Sequence, residues 1–380
     1  MGIRLYKYCN KNSKKGHNTL VSIIDPKTTP LCLLTEGFLA TRQAKTATGI
    51  LRYGSWPISS VLDSSCTGQK IKDITGINCS APIVSNIQEA LELNPKALLI
   101  GIAPIGGDLP DSWITIIKTA IINKMHIING LHNFLADIPE LKNLADEHQV
   151  MLWDVRDPSI YKASKDNYVA KQKSRNLNTK IITMVGSDCN VGKMCTALEL
   201  QKAALKQGIA SGFVATGQTG IMISGDGIPL DRIICDFASG AMERAIDEVC
   251  GVFDLSQKHY VFIEGQGSLL HPGYSGVTLS LIHGSNPSAM ILCHKAGIEE
   301  IQGGYSVKIP NMSQLISIYQ EAVSWIQANN PAKIIGISIN TSNLDEDQAR
   351  AYLKSVKAET GLETVDLIRF GGHEKILAGI

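Results

Sequence analysis

Residues 180–196 read Lys-Ile-Ile-Thr-Met-Val-Gly-Ser-Asp-Cys-Asn-Val-Gly-Lys-Met-Cys-Thr. A short apolar run, Ile181 to Val185, feeds a glycine turn that ends in Gly192-Lys193 and opens an amphipathic helix. Strand, turn and helix in that order build a phosphate cradle. Backbone N–H groups of the turn and of the helix start converge on one concavity, and the lysine adds a full positive charge. Glycine suits positions 186 and 192, where a side chain would block tight curvature or the approach of an anion. The turn departs from the common phosphate loop in two ways. Five residues, Ser187, Asp188, Cys189, Asn190 and Val191, separate its glycines in place of four. Met194 also stands where a hydroxyl normally holds Mg²⁺, with Thr196 the nearest substitute.

Around this turn the second half of the chain keeps an α/β rhythm. Strands are expected at 181–185, 211–215, 260–264, 289–293, 333–339 and 365–369, and helices at 191–207, 238–250, 312–328 and 345–358. Gly208 sits where a helix-terminating glycine belongs. The first half shows the same alternation. Strands are expected at Leu31–Leu34, Ile58–Leu62, Ala97–Ile102, His126–Ile128 and Val150–Trp153, with helices at Asn86–Leu93 and Ser112–Asn123 capped by Asn86 and Ser112. Between the halves lies the polar stretch Tyr161–Lys180, which carries Lys162, Lys165, Lys171, Lys173, Arg175 and Lys180 and suits a linker. The fold expected is therefore α/β in two domains. A Rossmann-like domain spans 1–160, a linker 161–179 and a P-loop NTPase-like parallel-sheet domain 180–380.

A chain of 380 residues exceeds one ordinary core, in keeping with two domains. Lys+Arg 36 against Asp+Glu 35 leaves a formal charge of +1, so no basic excess argues for nucleic acid. The cluster Lys11-Asn12-Ser13-Lys14-Lys15 reads as a solvated loop. No signal-peptide pattern and no apolar run of membrane-spanning length occurs, so no membrane partner is expected. Nine cysteines without a CxxC pair fit a reduced cytoplasmic setting. A small-molecule substrate and a homo-oligomeric protein are expected.

Ligands of open parallel sheets collect beyond the carboxyl ends of strands. There the second half is polar and glycine-rich: Thr216-Gly217-Gln218-Thr219-Gly220, Glu264-Gly265-Gln266-Gly267-Ser268, Cys293-His294-Lys295 and Asn340-Thr341. Glu264 ends an apolar strand, the position at which phosphate-cleaving P-loop proteins keep a carboxylate for Mg²⁺ or its water; a carboxylate capping the next helix is the alternative. Asp231 and Asp236 add an acidic pair. Of His271, His283 and His294, none shares a metal-ligand spacing with another, and His271 lies in a His-Pro-Gly turn suited to presenting an acid or base. Asn340 is a candidate reader of an adenine edge or, equally, a turn former. In the first half, Ala44–Tyr53 combines Lys45 and Arg52 with a glycine turn, while Gly101–Gly107 and Gly130-Leu131-His132 each follow a strand. None forms G-x-G-x-x-G, so dinucleotide binding by that half has weak support.

Gly186–Lys193 resembles the phosphate loop of dethiobiotin synthetase, which also has five residues between its glycines and an acidic third position. That resemblance implies ATP and Mg²⁺, with Asp188, Glu264 and Asp236 around the metal and Thr196 as a substitute hydroxyl; Met194 departs from it. A longer resemblance covers nearly the whole chain. Ala44-Lys45-Thr46, Gly101–Gly107, Gly130-Leu131-His132, Asp154-Val155-Arg156, the phosphate loop, Thr216–Gly220, Glu264–Leu270, His271–Leu279 and His283-Gly284-Ser285 occur in the order seen in the two-domain family named for D-glutamate N-acetyltransferase. It implies acetyl transfer from acetyl-CoA to the amine of D-glutamate, the opening step of D-amino-acid catabolism.

On that reading the cradle, Gly186 to Met194 with Thr196 and Asn340, takes phosphates of CoA without hydrolysing them. His271 or Glu264 serves as the base and amides of Gly265–Gly267 as oxyanion donors. Lys45, Arg52 and Lys295 are candidate partners for substrate carboxylates, and Gln218, Thr219, Tyr274 and Ser275 are further candidate substrate contacts. An ATP-dependent ligase or kinase, or a nucleotide-binding regulator without chemistry, remain the alternatives.

Overall fold

Both halves of the chain pair their strands in parallel, which requires the crossover helices that the sequence alternation supplies. The computed structural model describes residues 24–104, 109–172 and 178–380. These fall into two units. The first runs to Ile160 and includes Gln218–Pro229; the second comprises Tyr161–Gly217 and Leu230–Ile380. Among the described residues no helix is long and apolar enough to cross a membrane.

The first unit runs β1 (Leu31–Leu34), α1 (Lys45–Tyr53), β2 (Ile58–Leu62), α2 (Ile71–Thr75), β3 (Ile83–Val84), α3 (Ile87–Glu92), β4 (Ala97–Ile100), α4 (Trp113–Ile122), β5 (His126–Asn129), α5 (Pro139–His148) and β6 (Leu152–Asp154). Its sheet has the order β3-β2-β1-β4-β5-β6, every pair parallel. That is the doubly wound order of a Rossmann-like domain. Leu34, Leu62, Leu98, Ile100 and Ile127 of the strands bury against Trp113, Ile117 and Ile121 of α4.

The second unit contains β7 (Thr179–Gly186), α6 (Lys193–Lys206) and β8 (Ala210–Val214). After α7 (Gln218–Ser224), which belongs to the first unit, it continues with α8 (Cys235–Cys250), β9 (His259–Ile263), α9 (Ser275–Ser285), β10 (Ala289–Lys295), α10 (Met312–Ser324), β11 (Ile334–Asn340), α11 (Glu346–Thr360), β12 (Thr364–Val365) and α12 (His373–Leu377). The sheet order is β12-β11-β10-β7-β9-β8, again all parallel. Alternate residues of β7 feed opposite cores: Ile182 and Met184 pack with Leu200 and Phe262 on one face, Val185 with Ile282, Leu292 and Tyr319 on the other. With β9 and β10 on its two sides, β7 sits where the strand order reverses. The loop after it therefore opens into the crevice that open α/β sheets use for ligands.

Several sequence expectations change. Ala44–Tyr53, read as a glycine turn, is helix α1, because Thr46, Ala47, Gly49 and Ile50 form one buried face that tolerates an interior glycine. Asn86 caps α3 through Glu89 N, whereas Ser112 makes no capping bond. The last strand ends at Val365 instead of 369, since the Asp366 carboxylate takes the amides of Ile368 and Arg369 and turns the chain. Helices α7 and α9 were not expected: α7 is buried nearly all round, and α9 shows no amphipathic period.

Part of the expected linker is packed structure. The Lys171 amide donates to Glu243 of α8 at 2.7 Å, and Arg244 lies 4.6 Å over the ring of Tyr168. Lys173 and Arg175, like the Lys11–Lys15 cluster and Ile105, Gly106 and Gly107 of the Gly101–Gly107 motif, lie outside the described residues.

Helices α8 and α9 meet through small residues. A Cβ at Gly284 would collide with Ser239 O and stand 2.7 Å from Met242 Cβ. Gly284→Ala is expected to destabilise the chain by about 1–3 kcal/mol, the usual cost of overpacking a tight contact. Urea denaturation of both proteins checks this; an unchanged midpoint would show that the helices are free to separate.

Candidate functional site

Beyond β7 the chain turns sharply around Gly186, where a Cβ would lie 2.9 Å from Val191 Cγ2. Asn190 (φ 56°) and Gly192 (φ 107°) take left-handed conformations and aim the first turn of α6 at the mouth of the loop. The loop is anchored at Ser187 and Asp188. The Ser187 amide donates to Cys293 O at 3.0 Å and its carbonyl accepts from Ser268 Oγ at 3.0 Å. The Asp188 carboxylate, fully buried, accepts from the amides of Cys189 (2.7 Å) and Gln302 (2.9 Å). Lys193 is 6% exposed and its Nζ donates to Asp188 O at 2.7 Å. Burial lowers its pKa, opposed by Cys189, Cys293, Asp188 and Glu264.

Glu264 lies against this lysine. Its carboxylate accepts from the amides of Thr216 (2.8 Å) and Gly217 (3.1 Å), and its carbonyl from Thr216 Oγ1 (2.8 Å). Gly265 is obligatory, because a Cβ there would strike Met184 O and come 2.7 Å from Lys193 Cδ. Burial raises the Glu264 pKa to about 7, against the amides of Thr216 and Gly217 and the charge of Lys193, while Asp231 pushes it up further. Asp231 is thus the acidic neighbour of Glu264. Asp236, named from the sequence, is exposed in the first turn of α8. Thr196 donates to Ser338 Oγ at 2.8 Å, against β11. Asp188, Cys189 and His271 bring one donor atom each within 4.8 Å of one another. Each Asp188 carboxylate oxygen accepts one backbone amide, and Glu264 takes both of its amides on Oε2.

His271 is 3% exposed and joins the loop from the β9 side. Its pKa is lowered by burial, with Asp188 raising and Lys193 lowering it. The Gly273 amide donates to Nδ1 at 3.1 Å, so the neutral ring carries its proton on Nε2 and is a donor there. Tyr274 stacks on the imidazole with centroids 4.2 Å apart, and Tyr305 meets its edge at 4.8 Å. Ser275 opens α9, its amide held by His271 O. Behind the loop, Ser187 Oγ lies 2.8 Å from His294 Nδ1 and Tyr352 OH 3.1 Å from His294 Nε2, with burial pushing the His294 pKa down to about 4. His283 bonds Ala322 O instead. Asn340 accepts from Ser342 N at 3.0 Å, the turn-forming alternative, and Lys295 ends β10 half-buried.

The first unit gathers a second set. Arg156 Nε donates to Gly130 O at 2.8 Å and its guanidinium to Gln218 Oε1 at 2.7 Å, while Thr46 and Thr219 hydroxyls lie 3.1 Å apart. Asp154, whose pKa burial raises, holds Asn129 Nδ2 and the amides of Leu135 and Ala136. Lys45 and Arg52 are exposed on α1. Gln302, on Asp188, and Tyr305, on His271, were given no role from the sequence. The Gly303-Gly304-Tyr305 turn was their readable signal, since paired glycines mark a sharp bend.

A Rossmann-like sheet in one unit and a P-loop turn in the other define a two-domain α/β protein. Residues 64–158 match the Rossmann-like domain, and residues 168–377 the P-loop domain, of the family described as DUF1611, a domain of unknown function. The chain belongs to this family. It is 40% identical over 285 residues to a protein named D-glutamate N-acetyltransferase from Tritonibacter scottomollicae, covering 75% of this chain and 81% of that one. It is 39% identical over 307 residues to one of the same name from Pseudoalteromonas sp, covering 80% and 86%. A crystal structure of a DUF1611 family protein from Anabaena variabilis superposes with a TM-score of 0.85 at 39% identity, over 92% of this chain and 99% of that one.

The raised Glu264 pKa has a measurable consequence. The folded protein keeps that proton up to about pH 7, above the 4.5 of an ordinary glutamate, so the associated stability is complete below 4.5 and is lost as pH rises through 7. Glu264→Gln is expected to flatten the decline between pH 5 and pH 8 in urea midpoints. Parallel wild-type and variant curves would show that Glu264 ionises normally.

Proposed function

We propose that the protein is an N-acetyltransferase that moves an acetyl group from a CoA thioester to the amine of an amino acid such as D-glutamate. The names of the two relatives support the reaction class. The observation that carries the donor assignment is the Gly186–Lys193 loop: the start of α6 and the Lys193 ammonium meet at one turn suited to an anion, while the nearby carboxylates accept backbone amides. Such a cradle holds phosphate without a metal to cleave it, and CoA carries both a pyrophosphate and a 3′-phosphate.

In the reaction the neutral amine attacks the thioester carbonyl carbon, the C–S bond breaks, and CoA leaves as a thiol after one proton is lost from nitrogen. A long pantetheine arm separates that carbon from the pyrophosphate. With phosphates in the loop, His271 therefore donates from Nε2 to a phosphate oxygen. Glu264 fixes the Thr216–Gly217 loop beside it, and deprotonation of the amine falls to a group at the far end of the arm.

The test is steady-state kinetics with acetyl-CoA and D-glutamate in Mg²⁺-free buffer, following thiol release. His271→Ala is expected to raise KM for acetyl-CoA about tenfold, the worth of one hydrogen bond to a charged group, with kcat nearly unchanged. A fall in kcat at constant KM would instead put His271 at the acyl-transfer centre. ADP release from Mg-ATP without thiol release would replace the proposal by the ligase reading.

A further inference from the structure

A cavity in the second unit is walled by residues that the reaction described above does not use. It encloses about 420 Å³ between the end of β10, the start of α10 and one face of α11, a volume in the range of small-ligand sites. Tyr352, Ser355, Val356 and Glu359 follow the spacing of a single helix face and make the α11 wall. The lining combines two chemistries. Ile298, Met312 and Val356 supply apolar surface, while Glu299, Glu300 and Glu359 bring carboxylates and Lys308 an ammonium. Glu359 is held in place by the Ser313 amide, which donates to its Oε1 at 2.9 Å. Among the described residues no ion pair engages Glu299, Glu300 or Lys308.

We infer that this cavity binds a basic amino acid and that its occupancy is felt at the phosphate loop. The carboxylates take the ligand's ammonium groups, Lys308 takes its carboxylate, and the aliphatic stem lies on the apolar surface. A bare metal ion would leave the lysine and the apolar surface without a use, and a phosphate would face three carboxylates. The coupling rests on the phosphate-loop reading of Gly186–Lys193; the binding site does not.

Two connections join the cavity to the loop. His294 Nε2 lies 3.1 Å from Tyr352 OH, and its Nδ1 lies 2.8 Å from Ser187 Oγ. Burial pushes the His294 pKa down to about 4, so the neutral ring carries one proton and donates on one side while it accepts on the other. An ammonium can only donate. At Tyr352 it takes an oxygen lone pair, turns the hydroxyl proton toward Nε2 and leaves the Nδ1 proton pointing at Ser187.

The second connection is a strap over residues 299–309. Its base lines the cavity through Glu299, Glu300 and Lys308, and is closed by Ile301 N to Val307 O (2.9 Å) and Ile309 N to Glu299 O (2.8 Å). Gly303 (φ 107°), Gly304 (φ 78°) and Ser306 (φ 53°) take left-handed conformations that fold the strap back on itself. At its tip the Gln302 amide donates to the Asp188 carboxylate at 2.9 Å. A ligand that ties Glu299 to Lys308 across the base therefore steadies the segment that holds Asp188.

Calorimetric titration of L-lysine and L-arginine into the full chain tests the site, with norleucine, which lacks the terminal ammonium, and cadaverine, which lacks the carboxylate, as controls. Lysine is expected to bind about fivefold tighter than either control, the scale of a partly solvated charge pair. Glu359→Gln, whose side-chain oxygen still accepts from Ser313, and Lys308→Ala are expected to weaken lysine by about the same factor. Titration of CoA with and without saturating lysine reads the coupling, expected as a change of about fivefold in CoA affinity that shrinks in Tyr352→Phe. Absence of binding by both basic amino acids, unchanged lysine affinity in both charge variants, or CoA affinity indifferent to lysine would each overturn the inference. Lysine binding by a chain that ignores CoA would instead remove the donor reading and keep the site.

Discussion

An ammonium buried as deeply as that of Lys193 needs compensation from its surroundings, because removing a charge from water costs several kcal/mol. The second unit supplies that compensation first through Asp188, whose carbonyl accepts from Nζ, while Glu264 and the thiols of Cys189 and Cys293 lie close. Each of these groups has further duties. Asp188 holds the Gln302 strap, Glu264 holds the Thr216–Gly217 loop, and Gly265 must lack a side chain for the lysine stem to pass. The loops after β7, β8, β9 and β10 therefore take their places around one charge, and that shared dependence turns a sheet edge into a site.

Around the loop the carboxylates of Asp188 and Glu264 accept backbone N–H groups, and Thr196 donates to Ser338. An acyl donor that brings phosphates only as a handle asks less of the loop than ATP does. On the proposed reading phosphate binding positions the donor, and the bond-breaking end lies elsewhere.

Much of the architecture was legible in the sequence. Strand β7 and helix α6 announced themselves through an apolar run, a glycine turn and a lysine, and the burial pattern along β9 and β10 is continuous, as parallel strands require. Helix α1 reads as a turn in the sequence because Gly49 lies inside it, while α7 is nearly all buried and α9 has no amphipathic period to announce it. At the site, Lys193, Asp188, Glu264 and His271 could be named from their places after strands. Their partners could not. Gln302 meets Asp188 across 114 residues of chain and Tyr352 meets His294 across 58, and such meetings depend on strand order, which local pattern does not encode. The preference for Asp231 over Asp236 beside Glu264 has the same origin, since the two differ only in which precedes and which opens α8.

What the Lys193 loop holds decides between an acyl donor and any other ligand. Calorimetric titration of CoA into the wild-type chain and into Lys193→Ala, without added metal, addresses it most directly. Tight binding that is lost by about tenfold or more when the ammonium is removed is the predicted result, the scale expected for a charge-assisted phosphate contact. Equal CoA affinity in both proteins would contradict the assignment of the cradle.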